Sequence, residues 1–345
     1  MQALQETDSV RIKSNSKAVK SGKQAGQPLP IQGKSAPGFG GGSPEFHSAP
    51  AKSQPKEAQD LIYKPDGKPL RIVIYMGADP SADAHNVFYL NLFWKIMLLC
   101  RERKIECEPL IDSRPIYRQT EISPDLANAL KNGAYDGLIL TMISMHHERA
   151  LKSCHVPFAV QTLDKSDSSV EYDHRQMIRI ALRRLADLGC QSVGLILPED
   201  LADASMLDYI KSISSRLSLN VEYEWMLISR QARQAPEEEG HKLFHALWSL
   251  KKRPQGLIVW PDLMVRGVIT AIIERRVLVP RDLKLVLHRN AESPIMEPFP
   301  VDWAESSVGP MAEGLLLQIM KQINGESTKR IKIPFRIVSE DASSD

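Results

Sequence analysis

The sequence predicts an α/β protein with two doubly wound, parallel-sheet lobes that follow a disordered N-terminal tail. The first observation is that apolar, β-branched runs alternate strictly with helical segments from Arg71 onward. Unbroken apolar strands in such an alternation are typical of parallel sheets that helices cover on both faces. The second is that the alternation runs through two successive series. The third is composition: 345 residues with 43% hydrophobic and 25% charged residues are ordinary for a globular protein.

The first series begins with the buried run RIVIYMGAD, which ends in turn residues. Further apolar runs predict strands at 105–111, 135–141 and 155–161. Helical spacing predicts the intervening helices, and Gly133 and Gly189 follow two of them as C-terminal caps. The helices of this series are predicted at residues 85–104, 123–133, 144–154 and 174–188.

The second series has the same alternation of strands and helices. Apolar runs predict strands at 192–200, 220–228, 255–262, 283–290 and 329–341. One of its helices opens with three glutamates, which suit the positive end of the helix dipole. The helices of this series are predicted at 204–219, 236–252, 263–276 and 308–325. The predicted first lobe therefore comprises 69–189 plus 291–325, and the second comprises 190–290 plus 326–345.

Residues 1–68 form the predicted tail, which is rich in Gly, Pro, Ser, Lys and Gln. Such a segment cannot bury enough apolar surface to offset the entropy of ordering. Its basic cluster, Arg11–Lys23, has two interpretations, a nucleic-acid-binding arm or a solvated tail. The absence of aromatic residues among these lysines favours the solvated tail, since no ring is available to stack on bases.

Several classes of protein lack support in the sequence. The net charge of +2 disfavours binding to nucleic acid through overall charge, and no apolar run is long enough for a membrane span. The polar N-terminus predicts no secretory signal, and four cysteines without a CxxC pair favour a reducing, cytoplasmic location. No GxGxxG, GxxxxGK[ST] or GxSxG motif is present, so neither a cofactor nor an enzyme is predicted. His146-His147-Glu148 lacks HExxH spacing and is interpreted as helix surface, so no metal site is predicted.

Several collinear segments resemble the effector-binding domain of the LacI/GalR transcription regulators. Val279-Pro-Arg-Asp-Leu-Lys-Leu-Val286 is similar to the family's Val-Pro-x-Asp-Val-Ser-Val-Val, and Tyr135–Leu140 is similar to its Val-Asp-Gly-Ile-Ile strand. Weaker likenesses occur at 86–89, 156–160, 173–189 and 254–267. The resemblance implies the periplasmic-binding-protein-like type I fold, a small-molecule effector bound between the lobes, and a homodimer that uses the first helix. That helix, with Phe88, Phe93 and Trp94, is apolar nearly all round.

The chain also departs from the family pattern. Met206 and Pro261 stand where the family usually has a ligand-gripping Arg and an Asn, which puts a sugar-like effector in doubt. No helix-turn-helix pattern precedes Leu70. Two explanations stay open: the DNA-reading module is absent, or it lies upstream of the first residue given. Val10–Lys13 resembles the last strand of a winged-helix wing, which gives the second explanation some support.

Candidate ligand-binding residues lie where predicted strands end, because ligands of open α/β sheets bind beyond the carboxyl ends of strands. All but Asp79 have a structural alternative: Asn86, Asp173 and Asp262 suit helix caps, Phe88 and Trp260 suit the core, and His288 and Asn290 suit a tie between lobes. The candidates are Asp79, Asn86, Phe88, Asp173, Trp260, Asp262, His288 and Asn290.

The leading prediction is a cytoplasmic LacI-type sensor that passes effector binding to DNA or to a partner. The alternatives are a solute-binding protein that feeds a transporter and a degenerate homologue that binds no ligand. An enzyme on a doubly wound scaffold is a third class, because fold alone does not settle function.

Overall fold

The computed structural model of the protein describes residues 67–81, 87–115, 118–119, 121–143, 156–162, 166–230 and 235–339. Most of the predicted tail lies outside these ranges. So do Asn86, His146-His147-Glu148 and the helix predicted at 144–154.

The first sheet has six parallel strands in the order β11-β5-β4-β3-β1-β2. Side chains alternate along β1, so Ile72 and Ile74 pack under α1 and α7, while Val73 and Tyr75 face α2. Ser123 caps α2 by accepting a hydrogen bond from the Leu126 amide. The elements are β1 (Arg71–Met76), α1 (Val87–Glu102), β2 (Glu106–Ile111), α2 (Pro124–Lys131), β3 (Gly137–Thr141), β4 (Phe158–Gln161), β5 (Ser169–Tyr172), α7 (Val308–Ile323) and β11 (Ile331–Ile333).

The second sheet has the order β12-β10-β9-β8-β6-β7, and β12 is antiparallel to β10 at one edge. Helices α3 and α4 cover one face of this sheet, and α5 and α6 cover the other. Its elements are α3 (His174–Asp187), β6 (Val193–Pro198), α4 (Ala204–Arg216), β7 (Met226–Ser229), α5 (Pro236–Trp248), β8 (Gly256–Val259), α6 (Asp262–Glu274), β9 (Lys284–Asn290), β10 (Asp302–Ser306) and β12 (Arg336–Ser339). The two helix-covered sheets confirm the predicted fold class.

Three segments were predicted in one lobe and lie in the other. Helix α3 was predicted in the first lobe, but its apolar face packs on the second sheet. Residues 302–306 were also predicted in the first lobe, without a strand, yet they form β10, which pairs in parallel with β9 of the second sheet. Strand β11 was predicted in the second lobe and pairs with β5 of the first. The chain therefore passes between the lobes at 172–174, 306–308 and 333–336, where these elements begin or end.

Helix α1 buries one face and exposes another. Leu92, Ile96, Leu99 and Cys100 are buried against the first sheet. Trp94 is 60% exposed and Leu98, one turn later, is 37% exposed. Within the described ranges, no helix is long and apolar enough to cross a membrane.

Candidate functional site

The three crossover segments are joined to one another by hydrogen bonds. The Tyr172 hydroxyl donates to the carbonyl oxygen of Ser307 at 2.9 Å, which links the first crossover to the second. The Asp173 amide donates to the carbonyl oxygen of Ile333 at 2.8 Å, which links the first to the third. The Gln176 side chain also pairs with both backbone polar groups of Phe335, at 2.9 and 3.0 Å. Any movement of one lobe against the other has to bend these three linked segments together.

Six aromatic rings form a continuous chain across the crossovers, which we call the hinge cluster. From Phe88 of α1 the contacts pass through Tyr172 and Phe335 to the second lobe. There His174 packs edge-on against Trp260, with ring centroids 5.1 Å apart, and His288 lies 5.7 Å from both Trp260 and Phe335. The hinge cluster consists of Phe88, Tyr172, His174, Trp260, His288 and Phe335.

Four polar residues at the carboxyl ends of β8, β9 and β10 form a closed circuit of hydrogen bonds, which we call the Asp262 circuit. The Asp262 amide donates to Nδ1 of His288 at 2.9 Å, so the proton of the neutral imidazole lies on Nε2. That Nε2 is 3.1 Å from Ser306 Oγ, and the Ser306 hydroxyl donates to Asn290 Oδ1 at 2.6 Å. Asn290 Nδ2 donates to Asp262 Oδ2 at 2.7 Å and closes the circuit. The parallel register, which pairs Asn290 with Ser306, brings these side chains together.

Burial keeps the two histidines of the hinge cluster neutral. Loss of water around His288 lowers its pKa to about 4, although the Asp262 carboxylate opposes the shift. Burial, with a smaller contribution from His288, also lowers the pKa of His174 to about 4. Burial raises the pKa of the Tyr172 hydroxyl. At neutral pH these groups are therefore uncharged hydrogen-bonding and stacking groups rather than acids or bases poised to exchange protons.

The indole N–H of Trp260 is a buried donor of the hinge cluster with no hydrogen-bond partner among the described residues. Trp260 Nε1 is buried and makes no hydrogen bond to any described residue. Leaving a buried donor unpaired costs about 1–3 kcal/mol. A hydrogen-bond acceptor placed against this ring would recover that cost, so the atom marks a favourable place for a ligand oxygen or nitrogen.

The structure brings together four of the eight predicted site residues: Trp260, Asp262, His288 and Asn290. Phe88 joins them through Tyr172.

Asp173 caps α3, because its carboxylate accepts from the Gln176 amide at 3.1 Å. Asp79 accepts from the amide and hydroxyl of Ser81, which lowers its pKa, and lies on the surface. Asn86 is outside the described residues. Met206, at the position where the resemblance implies an arginine, packs in the apolar core of the second lobe.

Tyr172, His174, Ser306 and Phe335 are members of these two groups that were not predicted. Tyr172 and His174 flank the predicted candidate Asp173, so their position beside it in the sequence was a usable signal for them. Ser306 and Phe335 lie in the crossovers that the predicted boundaries placed elsewhere, and Phe335 has the sequence context of an ordinary core residue.

Comparison with known proteins agrees with this architecture. Residues 182–339 match the family described as periplasmic binding protein-like domain. The chain is 20% identical over 236 residues to the NTD biosynthesis operon regulator NtdR of Bacillus subtilis (strain 168), which covers 66% of this chain and 70% of that protein.

Two solved structures share the fold. A LacI family transcription regulator from Clostridium acetobutylicum superposes with a TM-score of 0.63 at 19% identity, over 78% of this chain and 98% of that one. The transcriptional regulator CelR in complex with cellobiose superposes with a TM-score of 0.62 at 16% identity, over 78% and 83%. The chain therefore has the periplasmic-binding-protein-like fold that these transcription regulators share.

Proposed function

We propose that this chain is the sensor of a transcription regulator and that a small effector binds between its lobes, against the hinge cluster. The observation that carries the proposal is the series of aromatic rings that passes through two of the three crossovers and includes the unpaired Trp260 N–H. A ligand that contacts the hinge cluster on both lobes binds one relative position of the lobes better than others. Such a difference in affinity shifts the population of lobe positions, which is the signal a regulator needs.

The chemistry of the cluster favours a ring-shaped ligand with a hydrogen-bond acceptor. Trp260 and Phe335 offer ring faces or edges for packing, and Trp260 Nε1 offers a donor. The complex of CelR with cellobiose supports sugars as one class to test. Nucleosides and aromatic amino acids are the other classes with rings and acceptors.

A thermal-shift screen with sugars, nucleosides and amino acids tests the proposal. A ligand present at 100 times its dissociation constant stabilises the folded state by about 2.7 kcal/mol. The matched control is Trp260→Phe, which keeps an aromatic ring but removes the N–H. We expect this variant to bind the same ligand more weakly. A ligand bound equally well by Trp260→Phe would contradict placement of the site at the hinge cluster.

A specific observation favours a second candidate, a domain that binds no effector. In the Asp262 circuit, Asp262, His288, Asn290 and Ser306 satisfy one another's hydrogen bonds. A ligand that used these groups would first have to break the circuit. If no compound class stabilises the full chain, the second candidate is the better description.

The regulator also needs a partner surface and an output. We propose that the exposed face of α1, with Trp94 and Leu98, packs against a second copy of the chain, because large apolar side chains are rarely left exposed together.

The proposed output is DNA binding, either by the basic cluster of the tail or by a module outside the sequence given. A gel shift on the native promoter, with and without the upstream coding sequence, tests this output. Failure of both forms to bind DNA would contradict it.

A further inference from the structure

Three side chains on the outer surface of the second lobe converge on one point. His241 and His245 lie one turn apart on α5, and Glu274 is the last residue of α6. Glu274 Oε2 is 2.8 Å from His241 Nε2 and 2.9 Å from His245 Nε2. The two Nε2 atoms are 3.3 Å apart. We propose that His241, His245 and Glu274 bind a divalent transition-metal ion of the zinc class.

The chemistry of the three ligands fits such an ion. Imidazole nitrogen and carboxylate oxygen are ligands of Zn²⁺, and two histidines four residues apart on a helix present both rings to one side. Hard cations such as Mg²⁺ and Ca²⁺ prefer all-oxygen sites, so they fit this set poorly. With three protein ligands, the fourth position of a tetrahedral ion is open to water.

The distances are close to those that a bound ion requires. Metal–ligand bonds of about 2.0–2.1 Å in a tetrahedron place the ligand atoms about 3.3 Å apart. The separation between the two Nε2 atoms already has this value. The two contacts to Glu274 are hydrogen bonds at present and would lengthen by about 0.4–0.5 Å when an ion replaced the shared protons.

Close packing of α5 against α6 holds the ligands in place. A Cβ atom at Gly267 of α6 would lie 1.8 Å from the carbonyl oxygen of Glu237, and one at Gly240 of α5 would lie 2.1 Å from that of Met264. The two helix backbones therefore touch, and the buried side chains of Phe244 and Ile272 pack in the core beneath them. Because backbone contact fixes the helix pair, Glu274 reaches the histidines without a loop having to order.

Arg275 competes with the metal for His245. Its Nε donates to His245 Nδ1 at 2.7 Å, and its Nη2 donates to Ser249 Oγ at 3.2 Å. While Nδ1 accepts this bond, the proton of a neutral His245 stays on Nε2. Metal binding moves that proton to Nδ1 and displaces the guanidinium, with no change in the number of protons on the ring. Arg275 therefore weakens the site, and its removal should strengthen metal binding.

The proposed site is separate from the hinge cluster. Glu274 ends the helix that Asp262 begins, and 12 residue steps of about 1.5 Å place the two residues about 18 Å apart. Metal binding and effector binding are thus independent claims, and either can fail while the other holds.

Isothermal titration calorimetry of the full chain with Zn²⁺ alone tests the proposal, with Mg²⁺ as the metal control. We expect one saturable site for Zn²⁺ and none for Mg²⁺. His245→Gln and Glu274→Gln should each weaken binding at least about tenfold. Arg275→Gln should tighten it, which a purely structural role of the cluster does not predict.

Two further measurements keep the result interpretable. Circular dichroism without metal checks that each variant is folded. The double variant His146→Gln/His147→Gln removes the adjacent histidine pair and should leave the affinity unchanged. Absence of a one-to-one site, full affinity in His245→Gln, or loss of binding in the His146/His147 double variant would overturn the proposal. An affinity unchanged by Arg275→Gln would overturn His245 Nε2 as a ligand atom.

Discussion

The folded state should lose stability in mild acid because the half-buried His174 is held in its neutral form. The ring of His174 packs against Trp260 and Phe335, with centroids 5.1 and 5.9 Å away. Burial lowers the pKa of His174 to about 4, whereas the unfolded chain has a value near 6.5. As the pH falls from 7 to 5, the unfolded state therefore takes up the proton before the folded state does. This difference costs about 1.8 kcal/mol of folding free energy over that interval.

His174→Phe removes the titrating group and keeps an aromatic ring between Trp260 and Phe335. The assay is urea denaturation followed by circular dichroism at pH 7, 6 and 5, for wild type and variant. Other acidic and basic groups titrate in both proteins, so their contributions cancel in the comparison. The variant should lose about 1.8 kcal/mol less than wild type between pH 7 and pH 5. Equal losses in the two proteins would refute the neutral state of His174.

Three further changes test other parts of the structure. Ser306→Ala leaves His288 Nε2 and Asn290 Oδ1 without their partner, so it should cost about 1–3 kcal/mol in urea denaturation; an unchanged midpoint would contradict the Asp262 circuit. Gly267→Ala forces a Cβ against a carbonyl oxygen and should lower the free energy of unfolding by about 1–3 kcal/mol or more. In the control Gly309→Ala the nearest atom is 3.6 Å from the new Cβ, so the melting temperature should not fall. Equal effects of the two substitutions would argue against the close helix contact. Trp94→Asp should convert a dimer to a monomer in sedimentation velocity without loss of helix content, and a persistent dimer would exclude this face.

The alternation of strands and helices was predictable, but the assignment of three elements to lobes was not. A local apolar run marks most of the strands, so a window of a few residues reveals them, but β5 and β10 were not predicted. Which sheet β10 or β11 joins depends on pairing with strands far away in sequence, such as β9 and β5. The apolar face of α3 has the same periodicity whichever sheet it covers. Local pattern therefore gives the elements, and long-range pairing gives the lobe boundaries.

In the candidate site, too, local pattern predicted some residues, and long-range pairing determines how they contact one another. Strand ends pointed to Trp260, Asp262, His288 and Asn290, and the structure places them together. Their hydrogen bonds to one another include the Ser306 hydroxyl. These bonds depend on the register of β9 with β10, which local sequence does not reveal. The same holds for the proposed metal site. The spacing of His241 and His245 on a predicted helix was visible in the sequence, but Glu274 comes from a neighbouring helix.

The most direct test of the sensor proposal follows the Trp260 indole N–H by NMR while an effector found in the thermal-shift screen is added. The chain has five tryptophans, and Trp260→Phe identifies the signal of this one. If the effector binds at the hinge cluster, the Trp260 signal should move as the ligand saturates, because its unpaired N–H gains an acceptor. A ligand that stabilises the protein while the Trp260 signal stays fixed and those of the other tryptophans move would contradict the account.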